Sequence, residues 1–126
     1  MIVGIGSDII EIKRVWDKII KENGFREAVF SLNEINYCES KLRKEEHYAA
    51  RFAAKEAFFK ALGTGIEDIT GFSEIEIVHN KQGKPEFSIT GNIATYINKL
   101  NINHVHVSIS HIKEFAHAMV VMESNS

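Results

Sequence analysis

The sequence predicts an α+β fold in which helices pack on a mainly antiparallel sheet. Three observations predict it. Residues 2–5 form an apolar run, residues 12–62 carry apolar residues at helical spacing, and residues 72–122 show mostly strand-like alternation interrupted by turns. Because the helical segments are grouped between a first strand and a later set of hairpins, the pattern favours helices layered against a sheet.

The first two predicted elements are a short strand and an amphipathic helix. The apolar run 2–5 is followed by Gly6, so we expect a buried strand leading into a loop, with Asp8 just past the strand's end. From Ile12, apolar residues recur three and four positions apart. This spacing predicts a helix that ends near Gly24.

Two further helices are predicted from capping signals and composition. Ser31 and Glu34 fit a capping box, in which each residue bonds the other's backbone amide, so a helix should start there. Residues 45–62 are rich in good helix formers, and Gly63 is placed as the C-terminal stop.

The period changes to strand-like alternation after this long helix. Residues 72–78 place Ile75 and Ile77 on one side, residues 83–85 turn, and residues 86–89 return as the partner strand. A helix over 92–100 comes next, and an apolar strand over 115–122 closes the chain. Between them, residues 104–110 alternate between a buried face of Val105, Val107 and Ile109 and an opposite face of His104, His106, Ser108 and Ser110.

Length, composition and charge limit the classes of function. The 126 residues, 44% hydrophobic and 25% charged, fit a single globular domain spanning 1–126. The net charge of −2 lacks the positive field of a general nucleic-acid binder, and no apolar run approaches the ~20 residues of a membrane span. With one cysteine and no visible secretory signal, we expect a cytoplasmic protein that binds neither nucleic acid nor membrane.

The densest chemical signal lies in residues 51–65. On a helix, Glu56 and Lys60 share one face, and Arg51 and Lys55 share another, because each pair is four residues apart. The first pair is compatible with an ordinary surface ion pair. The second pair repels, and this cost favours an anion lying over the two cations, for which phosphate is the obvious candidate.

Two carboxylates indicate a metal site. Asp8 follows a strand in which Gly4 and Gly6 would let another backbone or a ligand approach closely. Asp8 and Glu56 together offer two hard oxygen ligands, which suits Mg²⁺ held jointly with substrate phosphates and water. The alternative for Asp8 is a helix cap or a turn carboxylate.

The histidines and the cysteine give weaker signals. His104 and His106 alternate on one strand face and could share a zinc ion, but no third ligand is placed, so exposed strand histidines are favoured. His111 follows the strand as it ends, where ligand contacts are common; a histidine bonded to backbone is the alternative. Cys38 is predicted to be structural. The glycines at positions 4 and 6 lack the third glycine of a dinucleotide-binding fingerprint.

Four blocks of residues occur in an order that resembles the holo-[acyl-carrier-protein] synthases, the short bacterial type of 4′-phosphopantetheinyl transferase. The blocks are GIGSDI at 4–9, RFAAKEAFFKALGTGI at 51–66, GKP at 83–85 and SISH at 108–111. The second block is highly specific, the first moderately so, and the last two are weak by themselves. The resemblance covers almost the whole chain. It implies a phosphopantetheinyl transferase-like fold and a homotrimer with active sites between protomers.

The resemblance also implies an activity and the residues that carry it. The activity is Mg²⁺-dependent transfer of 4′-phosphopantetheine from coenzyme A to a serine hydroxyl of acyl carrier protein, which releases adenosine 3′,5′-bisphosphate. Asp8 and Glu56 would bind the metal, and Lys60 would contact the pyrophosphate. Such a transfer also needs a proton acceptor for the serine, for which Glu56, directly or through a metal-bound water, is the candidate. The implied contacts to coenzyme A are Arg43, Arg51, Lys60, Gly65, Pro85 and His111, the last from the neighbouring protomer.

Two residues depart from the family pattern near the end of that strand. Ile112 follows His111 where a polar residue is common, and His117 stands where small residues prevail. Both departures bear on the local structure at the end of this strand and not on the family assignment.

The predicted first helix offers a landing surface for an acidic carrier protein. It carries Lys13, Arg14, Lys18 and Lys21 against Asp17 and Glu22. Four basic against two acidic residues give a local charge of +2 on a negative protein, which favours docking of the carrier protein. The alternative for these residues is an ordinary solvated helix face.

Two rival functions of the protein stay open: a non-catalytic module that binds coenzyme A or carrier protein, and a Mg²⁺-dependent nucleotide hydrolase.

Overall fold

The computed structural model describes residues 1–63 and 70–125. Within them the chain forms five strands and five α-helices, which confirms the α+β prediction. The elements in chain order are β1 Ile2–Glu11, α1 Ile12–Ile20, α2 Phe25–Val29, α3 Leu32–Glu39, α4 Lys44–Leu62, β2 Ile75–His79, β3 Pro85–Ile89, α5 Gly91–Lys99, β4 His104–His111 and β5 Phe115–Glu123. A single 3₁₀ turn, Phe72–Glu74, leads into β2.

The strands form two antiparallel sheets. One has the order β1–β5–β4, and β2 with β3 forms a separate hairpin. In the larger sheet Asp8 lies opposite Ala118, which in turn lies opposite Ile109. The register therefore places Asp8 on the same face of the sheet as the inward side chains of β5.

Helix α4 is the centre of the core and packs against β1 and β5. Small residues on the helix, including Ala53 and Ala57, and on the strand, including Ala116 and Ala118, are fully buried. Small side chains on both surfaces allow the helix to lie close to the sheet. Because α4 is buried on most of its circumference, it positions side chains toward several neighbours at once.

The first strand is longer and more exposed than the sequence predicts. It continues through Asp8 to Glu11, so Asp8 lies within the strand and not past its end. It also buries one face only: Ile5 and Ile9 are 63% and 68% exposed on the other face. The extension arises because β1 pairs with β5 along its whole length, through the polar residues as well as the apolar ones.

The helix ends are set by local backbone geometry. Helix α1 ends at Ile20, before the predicted end, and the chain then reverses through Glu22 and Gly24, whose φ angles are 51° and 95°. The short helix α2 that follows is not predicted by the sequence. The capping box is confirmed, with the Ser31 hydroxyl accepting from the Glu34 amide at 3.2 Å. The stop at Gly63 is also confirmed, at a φ of 74°.

The later elements follow the prediction with shifted bounds. The predicted strand over 72–78 begins only at Ile75, because the three residues before it form the 3₁₀ turn. Pro85 begins β3 and does not belong to the turn, and β4 includes His111 as its last residue. The alternation of β4 is confirmed, with Val107 buried and all four residues of the opposite face exposed. Among residues 1–63 and 70–125, no helix has the length and apolar character needed to cross a membrane.

Candidate active site

Two glycines bring β1 into direct contact with the backbone of α4. A Cβ atom at Gly4 would lie 2.2 Å from the Ala61 carbonyl oxygen, and one at Gly6 would lie 2.2 Å from the Ala57 carbonyl oxygen. Only glycine fits at these distances. The sequence-based expectation of a close approach is therefore confirmed, and the approaching group is the helix backbone. Asp8, two residues further along the same strand face, consequently points toward α4.

Asp8 and Lys60 form the ion pair of this site. The Lys60 ammonium donates to Asp8 Oδ1 at 2.8 Å, with the carboxylate largely buried and the lysine half exposed. The ion pair between Glu56 and Lys60, which their spacing allows, does not form within 4.0 Å. Lys60 therefore pairs with Asp8 on the neighbouring strand instead of with Glu56 on its own helix.

Glu56 lies half-buried close to this pair. Burial and, next, the negative charge of Asp8 raise the pKa of the Glu56 carboxyl, while Lys60 and Lys18 oppose the rise. Two carboxylates are therefore held near each other at an electrostatic cost in the folded chain. Such an arrangement is stabilised when a cation binds between them.

The donor set suits a divalent ion that also binds substrate. No group of three or more His, Cys, Asp or Glu residues able to hold a metal occurs in the described part of the chain. Asp8 and Glu56 supply two hard oxygen ligands, and Mg²⁺ is commonly bound by one or two carboxylates plus substrate phosphates and water. The residues therefore fit Mg²⁺. The same finding gives no support to a zinc site at His104 and His106.

A cavity of about 450 Å³ opens beside the two carboxylates. It is lined by Asp8 of β1, by Arg14 and Lys18 of α1, and by Phe52 and Glu56 of α4. The cavity joins the candidate metal site to the basic helix. A ligand bound in this half-open cavity would have both carboxylates and cations beside it.

The negative charge that pairs with Lys55 is a carboxylate of the protein itself, that of Glu34. Lys55 is fully buried and donates to Glu34 Oε1 at 2.7 Å, and also to the carbonyl oxygens of Phe72 and Ile75 at 2.8 and 3.0 Å. The inference that a phosphate lies over Arg51 and Lys55 is therefore wrong for Lys55. Glu34, identified from sequence only as a helix cap, compensates this buried charge.

Arg51 lies in the same buried network. Its side chain is 5% exposed, its Nε lies 4.0 Å from Glu34 Oε2, and its guanidinium carbon lies 4.2 Å from the centre of the Tyr37 ring. The buried Nε has no hydrogen-bond partner. Arg51 is thus buried between Glu34 and the Tyr37 ring.

Replacing Lys55 with Met is expected to destabilise the fold by about 3 to 5 kcal/mol, because it leaves a buried carboxylate without its closest partner. Urea unfolding measures this change. Lys13→Met is the control: the Lys13 side chain is 82% exposed and forms a surface ion pair with Asp17, so the loss should stay below ~1 kcal/mol. A Lys55→Met variant as stable as the wild type would contradict the assigned role of the buried pair.

His111 and Arg43 lie at the other end of α4, joined by Glu46. His111 Nδ1 lies 3.2 Å from Glu46 Oε1, and Arg43 Nη1 lies 3.5 Å from Glu46 Oε2. Glu46 precedes Glu56 by ten residues on one helix, which corresponds to roughly 15 Å along its axis. Neither His111 nor Arg43 lines the cavity that contains Asp8.

A cluster of aromatic rings near this end is not anticipated by the sequence. The Tyr37 ring stacks on His79 with centroids 5.2 Å apart and meets the edge of His47 at 5.6 Å. Burial and, next, the charge of Arg51 lower the pKa of both histidines. The three rings come from α3, β2 and α4, so no local sequence pattern could reveal the cluster.

The two remaining predicted contacts to coenzyme A differ in position. Pro85 lines a second cavity, of about 390 Å³, together with Lys84, Ile109 and Met119. This cavity borders β4, the edge strand of the larger sheet. Gly65 lies outside the described residues.

The four basic residues of the predicted docking surface are all exposed. Lys13 pairs with Asp17 at 3.0 Å, and Lys21 forms the C-terminal cap of α1. Arg14 and Lys18, four residues apart, both face the cavity that contains Asp8.

Comparison with known proteins identifies the family of the chain. Residues 4–120 match the model of the 4′-phosphopantetheinyl transferase superfamily. The chain is 47% identical over 131 residues to the holo-[acyl-carrier-protein] synthase of Cytophaga hutchinsonii, covering 99% of this chain and 100% of that protein.

Solved structures show the same likeness. The holo-[acyl-carrier-protein] synthase of Neisseria meningitidis has a TM-score of 0.89 at 35% identity, covering 98% of this chain and 100% of that one. The Bacillus anthracis synthase, in complex with CoA (3′,5′-ADP), has a TM-score of 0.80 at 42% identity, covering 99% of both chains. With matches of this extent, the chain belongs to the 4′-phosphopantetheinyl transferase superfamily, and within it to the holo-[acyl-carrier-protein] synthases.

Proposed function

We propose that this chain transfers 4′-phosphopantetheine from coenzyme A to a serine hydroxyl of apo acyl carrier protein and releases adenosine 3′,5′-bisphosphate. The observation that carries the proposal is the meeting of Asp8, Glu56 and Lys60 beside one cavity that also faces the basic helix α1. The Helicobacter pylori synthase was solved in complex with coenzyme A and the Bacillus anthracis synthase in complex with CoA (3′,5′-ADP), which supports this donor.

In the proposed reaction, the serine oxygen forms a bond to the phosphorus atom that carries pantetheine. The bond from that phosphorus to the bridging pyrophosphate oxygen breaks, the bisphosphate leaves with the electron pair, and Glu56 takes the serine proton. Phosphoryl transfer depends mainly on positioning and charge stabilisation. Lys60, which donates to Asp8 at 2.8 Å, would stabilise the charge that develops on the leaving group.

We assign the metal site to Asp8 and Glu56. Their two carboxylates repel in the folded chain, and a bound Mg²⁺ would relieve this repulsion. The metal would supply positive charge to the pyrophosphate oxygens of the donor. Asp8 would position both the metal and Lys60, since its carboxylate has two oxygens and one already accepts from the lysine.

We assign the remaining contacts to coenzyme A to Arg43, Arg51, Gly65, Pro85 and His111, in addition to Lys60. Arg43 is exposed and His111 is partly exposed, so both can reach a bound nucleotide. Arg51 is 5% exposed and lies against the Tyr37 ring, so it would contact the nucleotide after a shift of Tyr37.

We infer a homotrimer with active sites between protomers. The outer face of the larger sheet exposes Ile5, Ile9 and Met119, and an apolar patch of this kind usually marks an interface. His111 lies roughly 15 Å along α4 from the level of Glu56. Contact between His111 and the cavity of a neighbouring copy would bring the two parts of the site together.

We place the enzyme in the cytoplasm, where the buried free thiol of Cys38 stays reduced.

Mass spectrometry tests the proposed function. Apo acyl carrier protein incubated with the purified chain, coenzyme A and Mg²⁺ should gain the mass of one phosphopantetheine on its serine. Free phosphopantetheine without modified carrier protein would instead indicate a hydrolase. Binding of coenzyme A or carrier protein without any product would indicate a non-catalytic module.

Reversing the charge of Arg14 should weaken the use of carrier protein. Lys13, Arg14, Lys18 and Lys21 form the proposed docking surface, and surface charges of this kind act on encounter rate and orientation. Arg14→Glu should raise the KM for carrier protein by about tenfold. Added salt should raise the wild-type KM, because charges more than ~10 Å apart are screened at 0.1 M ionic strength.

Steady-state kinetics across a salt series measures both effects. Lys99→Glu, a reversal at the end of α5, is the control and should leave the KM unchanged. A KM for carrier protein that stays flat with salt and in Arg14→Glu would exclude α1 as the docking surface.

A further inference from the structure

The basic residues of α1 have different surroundings. The Lys13 ammonium is paired with Asp17 and points to solvent. Lys18, five residues further along the helix, lies on the side of α1 that faces the cavity. The two lysines therefore differ in what their ammonium groups can contact, although the sequence assigns both to one docking surface.

Aromatic rings hold Lys18 in place beside the cavity. Its Nζ lies 5.5 Å from the centre of the Phe25 ring and 5.9 Å from the centre of the Phe52 ring. Both distances are within the range of a cation–π interaction. Asp8, Glu56 and Phe52 line the same cavity as Lys18.

The charge of Lys18 is not neutralised by a neighbouring carboxylate. No Asp or Glu oxygen lies within 4.0 Å of its Nζ in residues 1–63 and 70–125. Lys60, by contrast, already donates to Asp8. Lys18 is close enough to Glu56 for its charge to be felt there. It is thus an unpaired cation facing the proposed reaction site.

We propose that Lys18 is a further cation of the reaction site, and that its ammonium contacts a phosphate oxygen of the group being transferred. The inference rests on the proposed function, which places the reaction at Asp8 and Glu56. Negative charge spreads over the phosphoryl oxygens in the transition state. A cation at this position stabilises that charge, whereas a residue that only docks the carrier protein would not affect the chemical step.

Lys18→Met tests this role because it keeps most of the aliphatic packing on the two rings and removes the charge. We expect kcat to fall about tenfold, with the KM for carrier protein rising no more than in Lys21→Met, since Lys18 also belongs to the docking surface. Lys18→Arg should restore kcat to within about twofold, since it retains the charge. Lys21→Met on the same helix is the matched contrast and should raise the KM for carrier protein with kcat unchanged.

A fall in kcat of less than about fivefold in Lys18→Met would overturn the proposal, whatever happens to the KM. The proposal would also be overturned if Lys18→Arg had the same low kcat as Lys18→Met while both variants melted at the wild-type temperature. Lys18→Gln is the replacement if the Met variant does not fold, and the same limits apply to it. Failure of the wild type to modify carrier protein would instead overturn the proposed function, so the two failures are distinguishable.

Discussion

Transfer activity is expected to fall at least about 10²-fold when Glu56 is replaced with Gln, because the variant loses both a metal ligand charge and the proton acceptor for the serine. The substitution changes volume little, so a loss of activity reports on chemistry. Asp8→Asn should have a comparable effect, because it removes the second carboxylate and the partner of Lys60. Rates at several Mg²⁺ concentrations measure the effect, and Glu45→Gln at the start of the same helix is the control.

The stability of Glu56→Gln gives the prediction a second readout. Burial and the charge of Asp8 raise the pKa of Glu56 in the folded chain, so the ionised form costs free energy on folding above its unfolded pKa. Removing the charge should leave the melting temperature at pH 7 equal to or above that of the wild type without metal. Full activity of the variant at ordinary Mg²⁺, or a lower melting temperature, would count against the assigned site.

The sequence blocks 4–9 and 51–66 predict that Asp8, Glu56 and Lys60 belong to the site, but they do not predict which of these side chains pair. Gly4 and Gly6 indicate a close approach, and the structure shows that the Ala57 and Ala61 carbonyls are what approaches. This contact brings Asp8 to Lys60. Sequence spacing alone favours pairing of Lys60 with Glu56, because helical periodicity describes neighbours on the same helix. It carries no information about a strand that packs against that helix.

The buried network around Glu34 shows a second limit of sequence patterns. The capping box correctly locates the start of α3, but Glu34 also accepts from Lys55 and from the Ile77 amide. These partners lie 21 and 43 residues away along the chain. Repulsion between Arg51 and Lys55 rightly predicts an anion. It cannot show whether that anion is a ligand or a distant side chain.

Co-refolding of two inactive variants is expected to restore activity if His111 and Glu56 act from different protomers. Within one chain His111 contacts Glu46, roughly 15 Å along α4 from the level of Glu56. Suppose Glu56→Gln and His111→Ala are each strongly impaired, and are mixed equally, unfolded and refolded together. In a closed head-to-tail ring, a site is intact only when one chain supplies Glu56 and its neighbour supplies His111.

Random assembly gives this combination at about a quarter of the sites, so the mixture should recover about a quarter of wild-type activity. If both residues came from one chain, every site would carry one defect and mixing would restore nothing. Each variant refolded alone is the control, and sedimentation shows whether the mixed sample has assembled. Activity no greater than the mean of the two parents, in a sample that has assembled, would refute the site between protomers.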